Sequence, residues 1–67
     1  MMPTLMSLPA REVANGDEVE LAGRMVTVTN TVRGNNGQRY LVTEGVDGGI
    51  VVLERDPGET VEVWRHE

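Results

Sequence analysis

The sequence predicts an all-β protein, a small five-stranded barrel, from three observations. Eleven valines dominate the apolar residues of this 67-residue chain, and β-branched side chains pack well on a pleated surface. Short segments alternate between apolar and polar residues, as half-buried strands do. Glycine, asparagine and proline separate these segments at the spacing of an all-β domain. A chain of this length holds one domain, which we place at residues 10–67, after an apolar N-terminal arm at residues 1–9.

Composition excludes several classes of site. Cysteine is absent, so neither a disulfide nor a thiolate metal site can form. His66 is the only histidine, which excludes a histidine-built metal centre. No cofactor is expected, and no stretch has the ~20 apolar residues of a membrane span. The segment "MMPTLMSL" lacks the basic start of a signal peptide, so the expected compartment is the cytoplasm, or a virion if a phage encodes the chain.

The N-terminal arm has two interpretations. Its apolar side chains could cap an open end of the core, or they could dock on another subunit; methionine, a flexible gap-filler, suits either. The candidate interaction residues of this arm are Met2, Leu5, Met6 and Leu8. After the arm, Pro9 can open one helical turn, which Asn15-Gly16 ends.

Five strands follow, with a turn at Ala22-Gly23-Arg24 between the first two. They are predicted in the segments "DEVELAG", "MVTVTNTVR", "RYLVTE", "IVVLE" and "TVEVWR". Asn30 falls on the valine face of the second strand, so we expect a bulge or a satisfied polar group beside it. The fourth strand is continuously apolar, which is typical of a strand covered on both sides.

The register of the central hairpin follows from its turn. Asn36-Gly37 is a strong signal for a two-residue turn, which would place Arg33 opposite Tyr40 and Val32 opposite Leu41. A three-residue loop would instead place Val32 opposite Tyr40 and Asn30 opposite Val42. We adopt the first register, because it keeps apolar residues on one face and polar residues on the other.

The segment "LPAREVANGDEVELAG", followed by "MVTVTNTV", resembles the start of small Src-homology-3-like barrels. The shared residues are Ala10, Val13, Gly16, Asp17 and Val19. The pattern is also similar to KOW barrels and Hint-type modules. KOW barrels carry further glycines in an RNA-contacting loop that "RMVTVTN" lacks. Hint modules need a nucleophile and a histidine that are not placed here, so the resemblance implies a fold and no catalytic chemistry.

No catalytic group is expected. An aspartate such as Asp17, placed after glycine at the start of a strand, usually hydrogen-bonds nearby backbone N–H groups. Glu18, Glu20 and Glu62 are most simply solvated strand faces, because a glycosidase pair needs a substrate cleft. His66 has no triad partner in its vicinity. The sequence therefore predicts a protein that is not an enzyme.

The stretch "RGNNGQRY" is the candidate binding hairpin. Arginines could contact phosphate, amides could read base edges, and a tyrosine could stack on a base. The simpler interpretation is a β-turn beside an exposed arginine–tyrosine pair worth about 0.5–1 kcal/mol. The candidate residues are Arg33, Asn35, Asn36, Gln38, Arg39 and Tyr40.

Three functions stay open. The preferred one is a non-enzymatic module for protein–protein interaction or assembly, as in phage or mobile-element accessory or virion proteins. Its partner would be a protein or another copy of the chain, and no membrane is expected. The second is nucleic-acid binding through the hairpin at 33–40, which the net charge of −5 disfavours. The third is an acidic mimic of nucleic acid, built on Glu18, Glu20 and Glu62, that blocks a basic cleft.

Overall fold

The computed structural model describes residues 2–66, and in this range the chain forms one antiparallel sheet. Its strands follow each other in the sheet in the order β1-β6-β2-β3-β4-β5. A single 3-10 turn, Ala10–Glu12, connects the first two strands of the chain. The strands are β1 (Thr4–Pro9), β2 (Glu18–Leu21), β3 (Arg24–Arg33), β4 (Arg39–Glu44), β5 (Ile50–Arg55) and β6 (Thr60–Arg65).

The all-β class is confirmed, but two finer expectations differ from the structure. Residues 4–9, expected as an arm, form β1 and pair with β6 over six residues from Thr4↔Arg65 to Pro9↔Thr60. The described residues therefore hold six strands where the sequence predicted five. The sheet is also open, because β1 and β5 lie at its two ends and do not pair with each other.

The core lies against one face of this sheet. All six strands contribute apolar residues to one cluster, so the sheet must curl around its own inner face. Its buried members are Val13, Val19, Val26, Val28, Leu41 and Val63, with Met6, Leu8, Leu21, Leu53 and Val61 packed around them. The 3-10 turn closes one end of the core, where the N–H of buried Ala10 donates to Glu59 O at 2.8 Å.

The central hairpin adopts the register that the sequence analysis rejected. Arg33 lies opposite Arg39 and Val32 opposite Tyr40. The loop has three residues, and Gly34 N–H donates to Gln38 O at 2.7 Å. Only Gly37 takes a positive φ, of 85°, so the turn is not the two-residue type that needs Asn36 in that region as well.

The bulge expected near Asn30 is confirmed, because the register shifts between Val28 and Asn30. Its consequence for Val32 was not foreseen. One extra residue in a strand exchanges the faces beyond it. Val28 is therefore fully buried, whereas Val32 is exposed on the outer face.

The expectation for β5 was wrong. Its continuous apolar sequence suggested a strand covered on both sides, but β5 is an edge strand that pairs with β4 alone. The exposed fractions of Ile50, Val51 and Val52 are 66%, 44% and 55%. A continuous run of apolar residues predicts that both faces of a strand are buried, but it does not show whether the same chain supplies what covers them.

The segments "GDEVEL" and "GETVEV" lead into β2 and β6, which are neighbours in the sheet but pair only at Glu18↔Trp64. If that register continued, Glu20 would lie opposite Glu62, and like charges directly opposite each other are unfavourable. The strands separate there, and a cleft of about 340 Å³ opens between them. No helix in the described part of the chain is long and apolar enough to cross a membrane.

Candidate functional site

An exposed apolar surface lies along both faces of β5 and on the outer face of the strands beside it. We call it the β5 surface, and the registers place its residues side by side: Val42 pairs with Val52 on one side and with Asn30 on the other, and Tyr40 pairs with Val32. The residues of the β5 surface are Val32, Val42, Ile50, Val51 and Val52. Four of these five are exposed large hydrophobic residues, Val42 being half-buried.

The loop before β5 fixes where this surface begins. Gly45 N–H donates to Gly49 O and Gly48 N–H donates to Gly45 O, both at 2.9 Å. Asp47 Oδ1 accepts the N–H of Gly49 at 3.0 Å. Gly48 has a φ of 84°, so this loop repeats the three-residue design of the central hairpin. A rigid turn of this kind holds Ile50 at the start of an edge strand.

On its inner side, β5 is anchored to the core. Leu41 pairs with Leu53 and Thr43 pairs with Val51. The fully buried hydroxyl of Thr43 donates to Val51 O at 2.7 Å. The strand is therefore held in place on one side while its opposite backbone edge has no neighbouring strand in residues 2–66.

The hairpin at 33–40 divides its candidate residues into two groups, one around Gln38 and Tyr40 and one at the pair Arg33 and Arg39. The side-chain amide of Gln38 is hydrogen-bonded within the turn. Its Oε1 accepts the N–H of Asn36 at 2.9 Å, and its Nε2 donates to Tyr40 Oη at 3.1 Å. A Cβ on Gly34 would lie 2.6–2.8 Å from the side chains of Gln38 and Tyr40. The tyrosine ring is thus packed under the turn, and Asn35 is exposed at its tip.

The expected pair of Arg33 with Tyr40 is wrong. In the observed register Arg33 faces Arg39 on the side of the core, and Tyr40 faces Val32 on the outer side. The arginines and the tyrosine therefore lie on opposite faces of the sheet, and one nucleotide cannot use them as a joint platform.

The two arginines instead meet a third one, which the sequence analysis did not single out. Arg39 Nη2 donates to Arg11 O at 3.1 Å, and Arg11 Nη1 donates to Pro57 O at 3.3 Å. Arg11, Arg33 and Arg39 line a depression of about 290 Å³ together with Gly37 and Pro57. Sequence separation hid this cluster, because the 3-10 turn and the β3–β4 hairpin meet only in the folded chain.

The four arm residues are divided between two environments. Met6 and Leu8 pack on the core, as the capping interpretation expected. Leu5 lies on the other face of β1 and is half-exposed, and Met2 precedes the strand and is almost fully exposed. A docking role for this set stays a prediction.

Asp17 forms a structural clasp. Its carboxylate accepts the N–H of Ala14 at 2.9 Å, as the sequence analysis expected for local backbone bonding. Arg65, at the end of β6, also donates Nε to Oδ1 at 2.9 Å and Nη2 to Oδ2 at 2.8 Å. Burial by itself would raise the pKa of the Asp17 carboxyl. The hydrogen bonds from Arg65 and Ala14 and the charge of Arg65 outweigh burial, so the pKa is lowered.

The remaining acidic candidates line the cleft between β2 and β6. Glu20 and Glu62 contribute to its walls with apolar residues such as Leu21, Leu53 and Trp64. Glu18 contacts the ring of His66. Among residues 2–66 no three histidine, aspartate or glutamate side chains lie close enough together to hold a metal ion.

No protein-family model, curated protein or solved structure matches this chain.

Proposed function

We propose that this protein is a non-enzymatic interaction and assembly module that binds a partner strand along β5. One observation carries the proposal: a continuously apolar strand, Ile50–Leu53, lies at the open edge of the sheet with its first three side chains exposed. Its continuous apolar sequence is typical of a strand that is buried on both faces, whereas its position is at the edge of the sheet.

Exposed edges are a liability that soluble proteins usually blunt with charges, proline or a bulge. None of these devices interrupts β5 between Ile50 and Leu53, and its pairing with β4 is regular from Arg39↔Arg55 to Glu44↔Ile50. An added strand would use the free backbone edge, as in recognition by β-strand addition. It would also cover part of the β5 surface, and full burial of one valine or isoleucine side chain contributes about 1.5–3 kcal/mol.

The simplest partner is β5 of a second copy. Antiparallel pairing centred on Val52 would place Val52 opposite its equivalent in the second copy. In the same register Ile50 would lie opposite Glu54, and Val51 opposite Leu53. No like charges face each other directly in this arrangement, which matters for a chain with a net charge of −5. A two-fold contact of this kind is self-complementary, as in most homodimers.

The proposal also covers the detailed fold and the compartment. We propose that the open sheet is a Src-homology-3-like barrel extended by β1, and that a partner strand would pair with its open edge at β5. The compartment remains the cytoplasm, or a virion if a phage encodes the chain.

The experiment is light scattering after size exclusion, over a hundredfold range of protein concentration. The wild-type protein is expected to form dimers as concentration rises. Val52→Lys should be monomeric at all concentrations, because lysine is a natural blocker of edge pairing. Ser7→Lys is the matched control: it adds the same charge to the exposed face of the other edge strand, β1, and should leave the dimer unchanged.

Two results would overturn the proposal. One is a wild-type protein that stays monomeric and captures no protein from an extract of its host. The other is a dimer that survives Val52→Lys and dissociates in Ser7→Lys, which would move the contact to β1.

A further inference from the structure

We propose that Arg11, Arg33 and Arg39 form a binding site for a single phosphate dianion, free or carried as a small phosphate monoester. We call this site the arginine cup, and it is independent of the proposed role of β5. It lies where the 3-10 turn, the β3–β4 hairpin and the β5–β6 turn meet.

The geometry of the cup supports an oxyanion. Three arginines line one depression of about 290 Å³, and no acidic residue is among those that line it. An arginine presents five N–H donors in a planar fork that matches phosphate. None of the ion pairs found among residues 2–66 involves these three arginines.

Two of the three arginines are already held in position. Arg39 donates to Arg11 O, and Arg11 donates to Pro57 O. The backbone N–H of Arg11 also donates to Pro57 O, at 3.1 Å. The side chains of Arg11 and Arg39 each donate one hydrogen bond to a backbone carbonyl. They are therefore partly ordered before an anion binds, which reduces the loss of side-chain entropy on binding.

The acidic residues that are nearest to the cup in sequence bond to other groups or lie outside its lining. Glu59 Oε1 accepts the N–H of Asp56 at 3.2 Å, and Glu59 Oε2 lies 3.9 Å from Arg55 Nε. Glu12 and Asp56 adjoin the cup in sequence and do not line it.

Charge decides between a single phosphate and a nucleic-acid chain. The chain carries −5 in total, so removing the three charges of the cup leaves −8 on the rest of the molecule. A polyanion that filled the cup would extend over this negative remainder, and nucleic-acid affinity depends on neutralising many phosphates. One compact dianion meets the three arginines and little else, so the structure favours it.

The test is an NMR titration of the isotope-labelled protein at low salt, observing the arginine Nε–Hε resonances. The probes are inorganic phosphate, phenyl phosphate and a ten-nucleotide oligothymidine. Saturable shifts are expected at Arg11, Arg33 and Arg39 with both small phosphates. Arg33→Gln should weaken binding at least about tenfold, since a hydrogen bond to a charged group is worth about 1.5–3 kcal/mol. The side chain of Arg33 makes no hydrogen bond or ion pair within residues 2–66, so this variant should fold.

Arg24→Gln is the matched control, because Arg24 is an exposed arginine at the start of β3 and does not line the cup. It should bind phosphate as the wild type does. Shifts that do not saturate, or an equal loss in Arg24→Gln, would overturn the proposal. An oligonucleotide that binds more tightly than phosphate through the same residues would also overturn it, in favour of a nucleic-acid surface.

Discussion

The two edge strands of the sheet handle their apolar residues in opposite ways. In β1, Met6 and Leu8 turn inward and pack on the core, and prolines stand at positions 3 and 9 around the strand. In β5, Ile50, Val51 and Val52 are exposed and no proline interrupts the strand. Both strands have a free backbone edge, but β1 buries apolar side chains against the core, whereas β5 leaves most of its apolar side chains exposed. The contrast supports the proposal that β5 is the edge at which a partner strand adds.

The β1–β6 side of the sheet also contains the buried ion pair of Asp17 and Arg65, since Arg65 belongs to β6, the only neighbour of β1. Asp17 is only 2% exposed, whereas the side chain of Arg65 is 31% exposed. The comparison therefore predicts that substitutions on the β1–β6 side cost folding stability and that substitutions on β5 cost assembly.

The largest effect is expected from Asp17→Ala. It should lower the free energy of unfolding by about 3 kcal/mol, the low end for breaking a buried ion pair, because Arg65 can rehydrate. Asp47→Ala is the control on the β5 side, where an exposed carboxylate accepts one backbone N–H. It should cost at most about 1 kcal/mol. Urea denaturation measures both, and equal losses would contradict the comparison.

The next effect compares one residue type on the two sides. Val63→Ala removes two methyl groups from a fully buried position in β6 and should cost about 2 kcal/mol. Val52→Ala in β5 should change the stability of dilute, monomeric protein by less than about 0.5 kcal/mol. Thermal unfolding at low concentration provides the measurement. A large loss in Val52→Ala would mean that β5 is covered within its own chain.

A smaller effect should follow from acid. The pKa of Asp17 is lower in the folded protein than its ordinary value of 3.8, so the folded state binds that proton less readily than the unfolded state. The stability from this group is fully present above about pH 4 and is lost as pH falls through the folded pKa. Urea midpoints from pH 6 to pH 2 should show a steeper decline in wild type than in Asp17→Asn. Parallel curves would show that other carboxyl groups dominate acid unfolding.

The smallest effect is expected at a turn that belongs to neither edge. Ala22 is the one non-glycine residue with a positive φ, 53°, in the described part of the chain, and this conformation costs an alanine about 1–2 kcal/mol. Ala22→Asn should raise stability by about 0.5–1 kcal/mol, since asparagine tolerates it better. The dimer constant should stay unchanged. A shift in association would show that global stability, and not the β5 edge, controls assembly.

Local features of the fold could be predicted from the sequence. The segments "RYLVTE" and "TVEVWR" match the bounds of β4 and β6, because alternation and glycine turns act within a few residues. The expected turn at Ala22-Gly23 is present, and Asp17 does bond a nearby N–H. Each of these features depends on neighbours in sequence.

The predictions that were wrong concern features that depend on distant residues or on the φ angle of a single residue. Whether β5 has one neighbour or two is set by sheet topology, which its own residues do not encode. The register of the central hairpin depended on Asn36 keeping a negative φ. Arg65 meets Asp17 across 48 positions, and Arg11 meets Arg39 across 28. Pairing at such separations leaves no periodic signal.

The pairing of β1 with β6 also has a consequence for the order in which the protein folds. Of the described strands, β1 is made first, and its only neighbour, Thr60–Arg65, is made last. The hairpins β2–β3, β3–β4 and β4–β5 join sequence neighbours and can form early, whereas β1–β6 must close a loop of about fifty residues, which slows folding. During synthesis, β1 therefore waits unpaired until β6 has emerged. Until then the free margins of the nascent sheet are β2 and β5, and the arrival of β6 together with β1 moves the first of these margins from β2 to β1.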